Sequence, residues 1–206
     1  LTHAATDVVV ATKPAGAADA VVTAVAAGAS RVLSIAAGVT TATLEAAAGR
    51  PLPVVRCMPN TPALVGQGAS AVAAGSHAGA ADLAWATEVL GAVGLVVEVP
   101  EAQLDAVTGV SGSGPAYVFL FTEALRDAGV AAGLPADVAR DLAVRTVVGA
   151  AALLDGGASP EDLRAAVTSP NGTTEAAVRR FEELDLCGIV AQAVAAATER
   201  SRELGA

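Results

Sequence analysis

Histidine, lysine and aromatic side chains are nearly missing from this sequence. Its 206 residues include two His, one Lys (Lys13), one Trp, one Tyr and three Phe. Twelve basic residues against 21 acidic ones leave a formal net charge of -9. A nucleic-acid surface needs a basic stripe with stacking aromatics, so no nucleic-acid partner is expected. A local anion site is still allowed, because net charge does not dictate a single pocket. The two cysteines, Cys57 and Cys187, are far apart and cannot make a disulfide framework. Both sit in apolar contexts and read as plain buried thiols. No apolar run reaches the roughly 18 residues of a membrane span, since Gly, Pro, Thr or a charge breaks each candidate. The stretch Leu1 to Asp7 lacks the charged and apolar regions of a secretory signal. The cytoplasm is therefore the expected location, with no membrane partner. Leu rather than Met comes first and a strand begins almost at once at Asp7, which predicts a chain that starts inside a longer gene.

What is abundant is alanine and valine, in a pattern that changes half-way. Val8 to Ala11 reads as a buried strand, and Ala17 to Ala27 as a helix closed by Gly28. Val32 to Ala36 and Val54 to Met58 repeat the strand pattern around a short helix near Thr43 to Ala48. Ala69 to Ala73, a helix over Ala80 to Ala92 and the strand Leu95 to Val99 follow. Strands alternating with helices predict an α/β fold with a mostly parallel sheet. After Pro100 the spacing becomes helical throughout: Pro115 to Ala128, Pro135 to Leu154, Pro160 to Val167, Thr173 to Leu184 and Ile189 to Leu204. Two domains are expected, a sheet domain over residues 1–100 and an all-helical domain over 101–206. Small residues along the last helix allow close helix approach and dimerisation.

Four stretches carry candidate chemistry. Thr168-Ser169-Pro170-Asn171-Gly172-Thr173-Thr174-Glu175 is a polar loop running into a helix, whose first amides and partial positive charge suit a carboxylate or phosphate. Taken alone it reads first as a plain helix cap with an acid in the first turn. Asp105 to Tyr117, with its Ser-Gly-Ser-Gly-Pro run, would let backbone approach a ligand; taken alone it is an interdomain linker. Lys13-Pro14 and Arg56-Cys57-Met58-Pro59-Asn60-Thr61-Pro62 each follow a strand, where open α/β sheets bind ligands. Neither His3 nor His77 falls in these stretches, so no histidine-based nucleophile is indicated.

In this order and spacing the four stretches resemble the pyrroline-5-carboxylate reductase family. The Val-Thr-Ser-Pro-Asn-Gly-Thr-Thr block and the Ser-Gly-Ser-Gly-Pro-Ala-Tyr run are similar to that family's signatures, and the likeness covers nearly all of the chain. One departure is Asn171, where the family commonly has a second Gly. Asn tolerates a left-handed backbone, so the loop shape is expected to survive. The resemblance implies a partial Rossmann-like sheet domain, lacking its first β-α units and their Gly-rich turn, followed by a helical dimerisation domain. It implies NADPH or NADH as cofactor, with Ala11, Thr12, Lys13 and Pro14 at the phosphates and ribose and Ile35, Ala36 and Ala37 at the nicotinamide end. It implies a cyclic imino acid as substrate, held by Glu101, Ser169, Gly172, Thr173 and Thr174, with the Thr174 hydroxyl directed at the ring nitrogen. A homodimer or a ring of dimers is implied, and no metal.

Two other readings stand beside this one. The chain could be a non-catalytic dimerisation scaffold that keeps the helical interface, or another NAD(P)-dependent dehydrogenase with a helical substrate domain. The latter enzymes typically use a helical Lys as acid/base, and the single Lys13 lies in the wrong half for that role.

Overall fold

The structure, a computed structural model, describes residues 6–205. Strands β1 (Thr6–Val10), β2 (Ala29–Ser34), β3 (Val54–Met58), β4 (Gly68–Ala74) and β5 (Gly94–Glu98) form one sheet in sequence order. β1, β2 and β3 are parallel, β4 is antiparallel to β3, and β5 is parallel to β4. The single reversal follows from its connection. Between β3 and β4 lies only a 3-10 turn, Thr61–Val65, whereas a parallel return needs about a dozen residues or more. The mostly parallel sheet is as expected.

Side chains alternate across the strands, so both faces of β2 and β3 are apolar and must be covered. Val32 and Val54 join Val21 of α1 (Ala17–Ala26) and Leu44 of α2 (Thr41–Ala48) on one face. Leu33 and Val55 join Ala86 and Leu90 of α3 (Ala80–Gly91) on the other. Each fully buried Val or Leu contributes roughly 1.5–3 kcal/mol. Helix α2 has a defined start and stop: the Thr40 hydroxyl accepts the Thr43 N–H at 3.1 Å, and Gly49 closes it at φ 63°.

The remaining helices are α4 (Leu104–Val107), which continues through a π turn at Thr108–Gly112, then α5 (Gly114–Ala131), α6 (Ala136–Asp155), α7 (Pro160–Ala166), α8 (Thr173–Glu183) and α9 (Leu186–Gly205). The chain divides into two compact units. One runs through Pro115 and resumes at Ala193; the other is Ala116–Gln192. Residues 101–115 and the end of α9 thus belong with the sheet. Leu104 is fully buried beside Ala71, Ala73 and Met58. The Ser201 hydroxyl of α9 donates to Asp105 Oδ1 at 2.7 Å. A Cβ on Gly109 would lie 2.5 Å from Thr198 Oγ1 and 2.8 Å from the Val194 carbonyl, so only glycine allows this approach of α9 to the π turn.

The stretch from Asp105 to Tyr117, which taken alone reads as an interdomain linker, holds the boundary between the two units and is helix almost throughout. Its hydroxyls turn back on the helix: Thr108 donates to the Leu104 carbonyl at 2.9 Å and Ser111 to the Val107 carbonyl at 3.2 Å. One expectation needs correction: the cysteines are not both buried. Cys57 is, and burial pushes its thiol up to about 12 against a weaker pull from the Ser70 hydrogen bond. Cys187 is exposed, because its apolar surroundings on α9, Leu186, Ile189 and Val190, are themselves exposed. No described helix is long and apolar enough to cross a membrane.

Leu104→Ala should lower stability by about 2–5 kcal/mol, the range for emptying a buried leucine site, as measured by urea unfolding. An unchanged midpoint would mean that the segment after β5 is not anchored through this side chain.

Candidate active site

The parallel pairing brings three strand ends side by side. Val10 is in register with Ser34 of β2, and Ser34 with Arg56 of β3. The segments leaving these strands, Ala11–Pro14, Ile35–Thr40 and Pro59–Pro62, therefore share one rim of the sheet, the position at which open α/β folds bind ligands. Ala11, Thr12, Lys13 and Pro14 are all exposed there, and a 3-10 turn at Pro14–Gly16 leads into α1. Ala36 is buried, with Ile35 and Ala37 half-buried beside it. The Ile35 N–H extends the ladder to the Val10 carbonyl at 3.0 Å, and the Ala36 N–H donates to Ser34 Oγ at 3.3 Å. The structure thus brings together the two groups of residues assigned to the dinucleotide.

Sequence reasoning gave no role to Asn60, although the rim depends on it. Its amide nitrogen donates to the Ser111 carbonyl at 3.1 Å, and its amide oxygen accepts the Ala69 N–H at 2.8 Å. The loop after β3 is thereby tied to the π turn and to β4. Arg56, a charge inside an otherwise apolar strand, was the available signal that something ionic lies within this part of the sheet. It is only 6 % exposed and pairs with Glu101 at 3.2 Å. Glu101 follows β5, and both its oxygens are engaged: Oε1 accepts the Thr41 N–H at 2.8 Å and the Arg56 guanidinium, and Oε2 accepts the Thr41 hydroxyl at 2.7 Å. Burial alone would raise the Glu101 pKa, but the hydrogen bonds from the Thr41 hydroxyl and amide, and then Arg56, outweigh it and hold the carboxyl below its usual value.

The Ser169–Thr174 loop lies in the other unit, between α7 and α8. Asn171 adopts φ 57°, so the left-handed turn persists without the usual glycine. Its N–H donates to Glu175 Oε2 at 2.7 Å, and the Gly172 N–H to the Ser169 carbonyl at 3.0 Å. A Cβ on Gly172 would lie 2.9 Å from the Ser169 carbonyl oxygen, a backbone atom that cannot turn aside as the Ser169 hydroxyl could, so this position requires glycine as well. The first backbone bond into α8 is Ala176 N–H to the Gly172 carbonyl, which leaves the amides of Thr173 and Thr174 ahead of the helical ladder. Ser169 and Thr173 are exposed, and Thr174 is half-buried. Within this unit α8 meets α5 through Phe121 and Phe181, with ring centroids 6.5 Å apart. His77 is exposed on the turn after β4, and His3 lies outside the described residues.

Comparison with known proteins settles the lineage. The family model for pyrroline-5-carboxylate reductase dimerisation matches residues 101–204. A pyrroline-5-carboxylate reductase from Pseudomonas aeruginosa is 51 % identical over 175 residues, covering 84 % of this chain and 64 % of that protein. The solved pyrroline-5-carboxylate reductase of Coxiella burnetii superposes with a TM-score of 0.91 at 38 % identity, over 97 % of this chain and 76 % of that one. The chain belongs to the pyrroline-5-carboxylate reductase family. A Plasmodium falciparum pyrroline carboxylate reductase, solved with NADP bound, has a TM-score of 0.84 at 30 % identity and covers 97 % of this chain and 77 % of its own. The chain spans a little under two thirds of the length of the Pseudomonas relative.

Two outcomes follow from this geometry. Asn171→Gly should leave stability unchanged or slightly raised, whereas Asn171→Val should lower it by about 1–2 kcal/mol, since a β-branched residue fits φ 57° poorly; thermal unfolding distinguishes them. The folded-state pKa of Glu101 lies below its reference value of 4.5, so its stabilising contribution is complete above that pH and is lost as pH falls through the lower folded value. Glu101→Gln should therefore be less stable than the parent at pH 7, and the gap should close under acid conditions, read from urea midpoints across pH. A gap that widens in acid would contradict the sign.

Proposed function

We propose that this chain acts, within its full-length gene product, in the NAD(P)H-dependent reduction of 1-pyrroline-5-carboxylate to L-proline, the last step of proline biosynthesis, in the cytoplasm. The observation that carries the reading is the start of α8. In a member of this family, a left-handed Asn171 and a glycine-only Gly172 feed two free-standing amides and three hydroxyls into one short turn. That set of donors suits a small cyclic carboxylate with a polarisable nitrogen.

The residues on the sheet rim fit a dinucleotide. Small side chains at Ala36 and Ala37 leave room against the strand ends, and the exposed Lys13 supplies a cation for phosphate. Ala11, Thr12, Lys13 and Pro14 would hold the phosphates and ribose, and Ile35, Ala36 and Ala37 the nicotinamide end. When bound, the reduced nicotinamide supplies the hydride that adds to the C=N carbon. The chain's own residues position and polarise the substrate. The amides of Thr173 and Thr174, with the Ser169 hydroxyl, grip the carboxylate at the positive end of α8, while the Gly172 N–H is spent on the Ser169 carbonyl and shapes the turn. The Thr174 hydroxyl donates toward the ring nitrogen, drawing electron density from the C=N bond, and the nitrogen takes the proton that completes the amine from solvent. Glu101, read from the sequence as a substrate contact, already accepts three hydrogen bonds within the protein, and its role is better described as structural support.

We also propose that the full protein is a homodimer or a ring of dimers. Support comes from the helical unit, which cannot cover itself. No residue of α5 is buried, and only Ala139 and Ala143 of α6 are. Phe119, Leu120, Leu142 and Val148 are each more than half exposed. An apolar groove of about 390 Å³ runs between α5 and α6, lined by Val118, Phe119, Val144 and Val148 among others. Apolar faces this extensive on a single chain match the obligate kind of interface, which resembles a core cut in half.

Incubating the full-length gene product with the cyclic imine and either NADPH or NADH should yield proline with consumption of one of them. If neither is consumed, the reductase reading fails. Thr174→Ala should lower kcat by about tenfold or more and weaken binding of a proline analogue, the cost of one lost hydrogen bond to a developing charge. Unchanged kinetics would remove Thr174 from the mechanism.

A further inference from the structure

Residues 35–40 cross the sheet rim between β2 and α2 and are fastened at three points. At the start, the Ile35 N–H donates to the Val10 carbonyl and Ser34 Oγ accepts the Ala36 N–H. In the middle, Gly38 has φ 76°, and a Cβ there would come within 3.2–3.3 Å of the Leu204 and Gly205 backbone of α9. At the end, Thr41 gives both its amide and its hydroxyl to the carboxylate of Glu101. Glu101 is in turn held by Arg56, buried in β3 one strand away from Ser34. The first amide of α2 is thus satisfied by an internal anion, which is itself neutralised by a cation of the central sheet.

This arrangement is poorly suited to contact with substrate. A carboxylate has about four acceptor positions, and three of those on Glu101 are taken. As an anion it would repel a substrate carboxylate. With its pKa lowered it also has no proton to give at neutral pH. What the geometry does provide is rigidity: the β5–α4 connection, the middle of β3 and the first turn of α2 are locked together through one side chain.

We propose that Glu101, with Arg56, is a positioning residue that clamps Thr41 and so fixes the Ile35–Thr40 segment, rather than a ligand of the imino acid. The clamp is a property of the fold. Its consequence for the nicotinamide rests on the reductase reading given above.

The test uses Glu101→Gln and Thr41→Val in the full-length gene product, with two independent readouts. Amide hydrogen exchange over residues 36–41 should accelerate by about tenfold in Glu101→Gln, as expected when a charge-assisted hydrogen bond is lost, while α3 amides stay protected. Thr41→Val, which keeps the ion pair and removes only the hydroxyl, should give a smaller increase at the same amides. In steady-state kinetics KM for the dinucleotide should rise several-fold in both variants, with KM for the imine within about twofold of the parent, as for a group acting on one ligand's site alone. Unchanged exchange at 36–41 in both variants would overturn the clamp. A rise in imine KM with dinucleotide KM unchanged would make Glu101 a substrate ligand and overturn the proposal equally. Should the parent reduce no imine, the reductase reading falls; hydrogen exchange and direct titration of NADPH binding then decide the clamp alone.

Discussion

Two adjacent strands with apolar side chains on both faces impose the main constraint on this molecule. β2 and β3 place Val32 and Val54 on one face and Leu33 and Val55 on the other, and neither face can be left in water. Helices α1 and α2 must close one side and α3 the other, which forces the crossovers that keep β1, β2 and β3 parallel. Parallel strands end together, so the loops leaving them share a rim. The candidate dinucleotide residues are neighbours for this reason, although Ala11 and Ile35 are far apart in sequence.

A buried ionic link then rigidifies the rim. Arg56 occupies a place in β3 where an apolar residue would meet no objection, and Glu101 answers it from beyond β5. Such a pair is weak evidence for net stability, because desolvation offsets much of the attraction. Its effect lies in geometry, since it ties Thr41 to the middle of the sheet. Asn60 does comparable work nearby, joining the loop after β3 to the π turn. That turn is close-packed against α9 at Gly109. π turns are often found near functional sites, and this one faces the same loop.

The helical unit is built on a different principle. Its helices have well-marked ends: the Ser159 hydroxyl caps α7 and Pro135 precedes α6. Their apolar faces nevertheless remain largely exposed within one chain. Such faces fit the association of subunits proposed above, and the family model that matches residues 101–204 is that of pyrroline-5-carboxylate reductase dimerisation.

Much of this was legible in the residues themselves. β3 was read as Val54–Met58 and occupies those residues, and the long helices after Pro100 agree to within a few residues at their ends. Local patterning suffices for such elements because strand alternation, helix caps and prolines act over a few positions. The left-handed turn at Asn171 was legible for the same reason. Other features were hidden. The run from Asp105 to Tyr117 is full of glycine and serine, and only packing of Leu104 against β4 and of Gly109 against α9 makes it helical. Cys187 shares its apolar context with Cys57, yet which of them is buried depends on what covers each face. Glu101 was read as a substrate contact; Thr41 and Arg56, 60 and 45 residues away in sequence, take up its oxygens. Sequence alone thus determined the elements and the signature turn, whose causes are local. The tertiary structure decided which distant side chains meet, because hydrogen bonds and burial depend on distance in space.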